Sequence, residues 1–196
     1  VKRYNGIDLI GEYDLDADGR KPASVQLVSN GILQQILCGR HPAASASVPT
    51  GNERFLDEVS KGLFTHAAPG IIRVYANKPQ KQNVMRKVLA KEAKKSGLDY
   101  AYIVKAIDGG QPALYRYDCN TSRETLLRAK EVPLAVKTEM MHLTDVSAEE
   151  TVSNILLDNN KVSLICPKSM IVDNIEFNFE TPVSLQPFAV ANPNDK

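Results

Sequence analysis

The sequence predicts a mostly antiparallel α+β fold with roughly eight strands and one or two helices. Two observations carry this prediction. Short runs of alternating or β-branched residues are separated by turn-forming residues, so neighbouring runs are expected to pair locally as hairpins. Only one long segment, residues 80–96, has apolar residues at helical spacing with lysines mostly on the opposite face.

Composition and charge limit the classes of function. The chain has 196 residues, of which 43% are hydrophobic and 24% charged, as is ordinary for a globular protein. Its 24 Lys and Arg residues against 23 Asp and Glu residues give a net charge of +1, so no basic excess is present to neutralise a nucleic-acid backbone. No apolar run approaches the roughly 20 residues of a membrane span. We therefore expect no nucleic-acid or membrane partner, and a cytoplasmic location is favoured.

The first elements are a strand at 7–13 and an acidic turn after it. Asp14, Asp16 and Asp18 have the spacing that begins an EF-hand calcium loop. The twelfth position of such a loop needs a glutamate, and here it is Val25. The segment is therefore interpreted as a polar turn between strands.

A hairpin, a loop, a strand and a helix are predicted next. Asn30-Gly31 joins two β-rich runs, and both residues tolerate the positive φ angles of a tight hairpin turn. Residues 39–62 contain many small residues with proline and glycine, which predicts a long irregular loop. A strand at 71–76 precedes the helix at 80–96, which Gly97 is expected to end. The lysine face of this helix is interpreted as a solvated surface.

The remaining elements are predicted to be mainly strands. The strands are expected at 100–107, 113–117, 125–129, 162–166 and 170–179. Ser147 followed by Glu149-Glu150 resembles a capping box, and apolar residues at helical spacing follow, which predicts a second, short helix there. The proline-containing tail, 181–196, is expected to be extended.

The cysteines and histidines predict no catalytic or metal-binding residues in this chain. Three cysteines, Cys38, Cys119 and Cys166, do not make a disulfide framework. No histidine is followed by a glutamate, so the paired ligands of a zinc hydrolase helix are missing. Cys38 and His41 form the one close Cys/His pair, which leaves a thiol enzyme as a weaker alternative.

Several motifs, taken in order along the chain, resemble the C-terminal half of the TldD/PmbA family. The matching segments are 11–23, with the acidic turn and its glycine; 25–33, with the Asn-Gly hairpin; 49–54, with the Thr-Gly-Asn sequence and a closing arginine; and 162–177, which resembles the closing hairpin of the family. The middle of the chain, including 98–104 and 108–110, is similar to a larger branch of that family. The resemblance therefore covers nearly the whole chain.

This resemblance implies a zinc metallopeptidase that acts as a homo- or heterodimer on peptides or partly unfolded polypeptides. In active members of the family, zinc is held by a His-Glu-x-x-x-His helix and by a cysteine of a Gly-x-Cys-Gly segment. The helix motif is absent here, and no cysteine lies near 157–160, where the second motif is expected. We therefore expect no cofactor in this chain, with zinc implied for the full-length family.

The expected architecture is a single C-terminal domain, 1–196, with a barrel-like or curved sheet, belonging to a longer chain. It would form part of the wall of a substrate cavity and of the dimer contact without cleaving peptides itself. The residues expected to face the substrate are Pro49, Thr50, Gly51, Asn52 and Arg54. The alternative is a non-enzymatic module that binds peptides or serves in assembly through exposed sheet edges.

Overall fold

The computed structural model describes residues 2–41, 48–58, 62–105, 112–127, 142–157, 159–173 and 175. Its strands, in chain order, are β1 (Arg3–Tyr4), β2 (Ile7–Asp8), β3 (Val28–Ser29), β4 (Ile32–Leu33), β5 (Glu53–Glu58), β6 (Gly62–Ala67), β7 (Ile71–Arg73), β8 (Tyr100–Lys105), β9 (Ala113–Asp118), β10 (Glu124–Leu127), β11 (Leu143–Val146), β12 (Glu150–Leu157), β13 (Asn160–Pro167) and β14 (Met170–Val172). The described residues contain one α-helix, α1 (Met85–Lys95), which follows a 3-10 turn at Gln82–Val84.

The predicted fold class is confirmed. Among the described strands, every strand pairing is antiparallel except that of β13 with β7. These strands form open sheets of two or three strands, and none of the sheets closes into a barrel. The predicted tail at 181–196 lies outside the described residues.

Two local predictions are confirmed in detail. The turn between β3 and β4 has positive φ angles at Asn30 (52°) and Gly31 (76°), as the hairpin interpretation requires. At the end of α1, the N–H of Gly97 donates to the carbonyl of Lys94 and the N–H of Leu98 donates to that of Ala93. This pair of bonds is a Schellman motif, and Gly97 allows it because its φ angle is 75°.

The predicted second helix is wrong, because the segment forms β12. Each of its eight residues is paired with a residue of β13. The hydroxyl of Ser147 does not cap a helix: it donates to the carbonyl of Glu149 and accepts from the N–H of Ser169. The β-branched residues Thr151, Val152 and Ile155 suit a strand, and a long partner on β13 outweighs the helical spacing.

The loop predicted at 39–62 is also wrong in part, because it contains all of β5 and the first residue of β6. These two strands form a hairpin in which Arg54 lies opposite His66 and Leu56 opposite Phe64. The alternation of exposed and half-buried side chains along β6 is a strand pattern that the many small residues upstream obscured.

The segment expected to form the closing hairpin has different partners. β13 pairs with β12 on one side and with β7 on the other, so it is an inner strand of its sheet. β14 pairs with β11 instead of β13. The strands at 162–166 and 170–179 therefore do not pair with each other where they are described, and residues 174 and 176–179 lie outside the described part.

The chain divides into two compact units. The first comprises residues 1–82 and 147–169, and the second comprises residues 83–146 and 170–196. In the second unit, α1 packs on the sheet formed by β8, β9 and β10. Met85, Leu114 and Tyr117 are among its buried side chains.

The first unit is centred on a close contact between three main-chain segments. Ser163, in the middle of β13, is fully buried and donates its N–H to the carbonyl of Gly70 at 2.8 Å. Its hydroxyl oxygen accepts the N–H of Gly11 at 3.0 Å and donates to Oδ1 of Asn154 at 2.7 Å. A Cβ atom on Gly70 would lie only 2.2 Å from the carbonyl oxygen of Gly11. Only glycine therefore lets these segments approach so closely.

We expect Gly70→Ala to lower the free energy of unfolding by about 3 kcal/mol or more, because an added methyl group would force main-chain atoms apart. Gly6→Ala is the control, since Gly6 has a φ angle of 82° and nothing lies within 4 Å of its added Cβ. That control measures the strain of left-handed backbone alone, about 1–2 kcal/mol. Urea denaturation of both variants checks this prediction, and equal losses of stability would contradict it.

Candidate functional site

The acidic segment forms a structural turn, as the sequence predicts, but the strand predicted before it at 7–13 is limited to β2 (Ile7–Asp8). Oδ1 of Asp16 accepts the N–H groups of Asp18 and Arg20 at 3.0 and 2.8 Å. Oδ2 of Asp16 accepts the N–H of Glu53 at 3.2 Å, and Asp16 is buried. The carboxylate is thus occupied by main-chain donors and fixes the turn against the start of β5.

The loop expected to face a substrate is largely buried. Thr50 is 2% exposed, and its hydroxyl donates to the carbonyl of Cys38 and accepts the N–H of the same residue, both at 2.8 Å. Gly51 has a φ angle of 70° and packs against the main chain of Lys21. Pro49 is half-buried. These contacts give the loop a structural role, and its contact with a substrate stays a prediction.

Asn52 and Arg54 belong to a polar cluster around Tyr13. Nδ2 of Asn52 donates to the hydroxyl of Tyr13 at 2.8 Å, and the guanidinium of Arg54 lies 4.2 Å from the centre of the Tyr13 ring. Nε of Arg54 donates to Oδ1 of Asn160 at 3.3 Å. Oδ1 of Asn52, Nη1 of Arg54 and Nδ1 of His66 are buried without a hydrogen-bond partner among the described residues. Leaving such atoms unpaired costs stability, so this cluster has unused hydrogen-bonding capacity.

The thiols and imidazoles do not converge in the described part of the chain. All three cysteines are free. Burial raises the pKa of the thiols of Cys119 and Cys166, which makes both poor nucleophiles near neutral pH. The thiol of Cys38 donates to the carbonyls of Gly39 and Val48, at 3.1 and 3.7 Å, instead of to His41.

The described residues do not fit a zinc site. They contain no group of three or more His, Cys, Asp or Glu side chains that could hold a metal ion. Near 157–160, where the TldD/PmbA resemblance places a cysteine ligand, the chain turns between β12 and β13 with a φ angle of 62° at Asn159. The side-chain amide of Asn160, the first residue of β13, donates to the carbonyl of Phe55.

The feature that the structure adds is the outer edge of β12. Just beyond the last pair of the β12–β13 ladder, the N–H of Lys168 donates to the carbonyl of Glu149 at 2.8 Å. Hydrogen-bonded and non-hydrogen-bonded residue pairs alternate along an antiparallel ladder. Because Glu149 and Lys168 form a hydrogen-bonded pair, the N–H and C=O groups of Val152, Asn154 and Leu156 point away from β13. These outward main-chain groups have no hydrogen-bond partner within the described ranges.

β12 also lacks the usual protection of an edge strand. With eight residues it is the longest edge strand of the sheets described, and its sequence contains no lysine, arginine or proline. It ends in three exposed apolar side chains: Ile155 is 41% exposed, Leu156 70% and Leu157 45%. Because proteins usually cover, charge or interrupt such edges, β12 is a candidate site for strand pairing.

The outer edge of β5 in the same unit shows the contrast. The N–H of Glu53 donates to the Asp16 carboxylate, and its C=O accepts the N–H of Ala17 at 2.8 Å. The C=O of Phe55 accepts Nδ2 of Asn160 at 2.9 Å. The unit therefore closes the edge of β5 with a turn and a side chain. At β12, the side-chain amide of Asn154 donates to the carbonyl of Asp8 at 2.9 Å, but no described group bonds to the outward main-chain groups of the strand.

No family model, curated protein or solved structure matches this chain. The function of the β12 edge is therefore inferred from its geometry. No helix that the structure describes combines the length and apolar character needed to cross a bilayer.

The single charge on β12, that of Glu150, is neutralised at the start of the strand. Oε1 and Oε2 of Glu150 accept Nε and Nη2 of Arg73, both at 3.0 Å, and the hydroxyl of Tyr4 also donates to this carboxylate. The hydrogen bonds from Arg73 hold the pKa of Glu150 below its usual range. The rest of β12 is uncharged, so the strand would accept an apolar partner more readily than a charged one.

The sequence does not predict this edge, because its helical spacing predicts a helix where β12 forms. Two signals pointed to a strand: a cluster of β-branched residues, and the Asn159-Asn160 turn before a second β-rich run. Together they predict a hairpin. They do not reveal which side of the hairpin is covered, since the partner β7 is far away in sequence.

We expect the contribution of Glu150 to stability to depend on pH. A carboxyl group whose pKa is lowered by folding stabilises the protein above its unfolded pKa and loses that effect as the pH falls through the folded value. The free energy lost in Glu150→Gln should therefore be largest near neutral pH, shrink as the pH falls below the ordinary glutamate pKa of about 4.3, and vanish only below the lowered pKa of the folded state. Thermal melts across this range test the prediction, with Asp14→Asn, an exposed site, as the control. A difference that stays constant with pH would contradict it.

Proposed function

We propose that this chain is a non-catalytic peptide-binding domain that receives an extended polypeptide segment as an added strand along β12. The observation that carries the proposal is the uncovered outer edge of this strand. Val152, Asn154 and Leu156 each present an N–H and a C=O group away from β13. An added strand would form hydrogen bonds with these groups without breaking any hydrogen bond within the sheet.

The chemistry of the edge defines the partner. Each new main-chain hydrogen bond contributes about 1 kcal/mol net. The Ile155 and Leu156 side chains lie on opposite faces of the strand, and covering a leucine that is 70% exposed adds about 1–2 kcal/mol. A segment with small or apolar side chains on both faces would gain from both contributions. Unfolded or partly unfolded polypeptides offer such segments, whereas folded helices do not.

The resemblance to the TldD/PmbA family supplies the wider context of this proposal. In a peptidase of that kind, a domain with an open edge would form part of the wall of the substrate cavity and hold the substrate in an extended form. Cleavage would be carried out with a zinc helix from another segment, since the described residues of this chain offer no zinc ligand set.

The second candidate function is assembly through the same edge. Two copies of β12 could pair antiparallel across a twofold axis, because an isologous strand contact uses the same outward groups on both copies. The absence of lysine, arginine and proline from β12 favours this candidate as well. Peptide binding and dimerisation would then compete for one edge.

Replacing Leu156 by lysine tests the peptide-binding proposal. The side chain is 70% exposed, so the substitution should leave folding intact while charging the edge. We expect a fluorescein-labelled eight-residue Val-Thr peptide to bind the unchanged protein, and Leu156→Lys to weaken binding at least about tenfold. The matched control is Leu126→Lys on β10, where the leucine is 60% exposed. Fluorescence anisotropy measures the affinities.

A second probe separates main-chain pairing from general apolar contact. The same peptide, N-methylated at alternate residues so that one edge cannot donate, should bind at least about tenfold more weakly than the unmethylated peptide. Equal binding of the two peptides, or equal weakening in both lysine variants, would overturn the proposal. The assembly function is supported instead if three results are obtained together: the protein dimerises in sedimentation experiments, Leu156→Lys dissociates the dimer, and no peptide competes with the dimer. In that case the edge serves assembly.

A further inference from the structure

The second unit contains a basic cavity of about 600 Å³, largely open to solvent, between the exposed face of α1 and the end of β9. This volume lies within the range of small-ligand sites. Tyr117, Cys119 and Ser122 contribute the side opposite the helix. Four helix residues contribute the charges: Lys87, Lys91, Lys94 and Lys95.

Three of these four lysines form no direct ion pair within the described part of the chain, although Asp99 and Asp118 lie near Cys119 in the opposite wall. Lys95 forms an ion pair with Glu92 at 2.6 Å, while Lys87, Lys91 and Lys94 form no ion pair with a described residue. They lie at positions i, i+4 and i+7, so they share one face of α1 and repel one another. No aspartate or glutamate is among the residues that line the cavity.

Two other cations of this unit, which lie away from the cavity, form ion pairs. Arg86, on the same helix, and Lys105, on β8, both form ion pairs with Glu124, at 2.8 and 2.5 Å. Their hydrogen bonds hold the pKa of Glu124 below its usual range. The unpaired positive charge of α1 is thus concentrated where the cavity lies.

Uncharged donors complete the wall. The hydroxyl of the buried residue Tyr117 donates to Oγ of Ser122 at 3.2 Å, so Ser122 keeps its own proton for another acceptor. Ser122 adopts a φ angle of 59°, a strained conformation for a residue that is not glycine. The turn that contains it is held by the N–H of Ser122, which donates to the carbonyl of Asp118 at 2.9 Å.

We propose that this cavity binds a small anion that carries more than one phosphate group. Lysine acts on phosphate as a point charge without a preferred plane, whereas planar carboxylates are best matched by arginine, and no arginine lines the cavity. Three lysines without a direct ion pair favour a ligand that carries more than one negative charge. A polynucleotide fits less well, because no exposed aromatic ring lines the cavity for base stacking and the whole chain has a net charge of only +1.

This inference is independent of the proposed peptide edge. The cavity belongs to the second unit and β12 to the first, so they share no residue. A failure of either proposal leaves the other unaffected.

Pyrophosphate is the probe for the test, with inorganic phosphate and chloride compared at equal ionic strength because exposed charges are screened by salt. Isothermal titration calorimetry on the full chain should show saturable binding of pyrophosphate that is tighter than that of phosphate. Lys91→Gln/Lys94→Gln should weaken this binding at least about tenfold. The control variant, Lys78→Gln/Lys81→Gln, removes the same charge at exposed positions outside the cavity. It should bind pyrophosphate as the unchanged protein does.

Alkylation of Cys119 gives a second readout that does not depend on heat of binding. Bound pyrophosphate should slow the reaction of Cys119 with iodoacetamide, resolved by mass spectrometry, and leave that of Cys166 unchanged. Absence of saturable pyrophosphate binding, equal effects of the two double variants, or tighter binding of single-stranded RNA than of pyrophosphate would overturn the proposal.

Discussion

The first unit depends on the main-chain contact of Gly11, Gly70 and Ser163. Two glycines allow separate segments to approach within van der Waals contact of β13, and the buried Ser163 bonds to both of them and to Asn154 on β12. This contact places β13 inside its sheet, with β7 on one side and β12 on the other. The hydrophobic side chains Val162 and Ile165 are buried beside it. The outer position of β12, and hence its open edge, follows from the same arrangement.

The open edge of β12 is significant because another edge strand of the same unit, β5, is covered. The acidic turn centred on Asp16 has a spacing that resembles a calcium loop. Its role in the structure is to cover the edge of β5, together with Asn160. Unpaired strands expose donors and acceptors that associate with other chains, so most proteins protect them. β12 has a neutralised charge at its beginning and apolar side chains at its end, which is the opposite of such protection. This contrast is the physical basis of the proposal that β12 receives an added strand.

Local structure could be predicted from the sequence more accurately than long-range pairing. The turn at Asn30-Gly31 and the end of α1 at Gly97 were predictable because both require positive φ angles. Few residue types adopt such angles readily, and Asn and Gly are the main ones. β12 was missed because helical spacing and a cap-like Ser147 competed with β-branched residues, and pairing with β13 decided the outcome. The predicted loop residues Asn52 and Arg54 are brought together, but Tyr13 and Asn160 reach them from distant segments. Likewise, the lysine face was visible, whereas its cavity needs Tyr117 and Ser122 from another strand and turn.

Amide hydrogen exchange along β12 is the most direct measurement of the central claim. In the protein alone, the N–H groups of Val152, Asn154 and Leu156 should exchange fast, while those of Ser153 and Ile155, which face β13, should be protected. Adding a saturating extended peptide should protect the first set and leave the second unchanged. Slow exchange of all five groups before any peptide is added would mean that the edge is already covered, which would contradict the account.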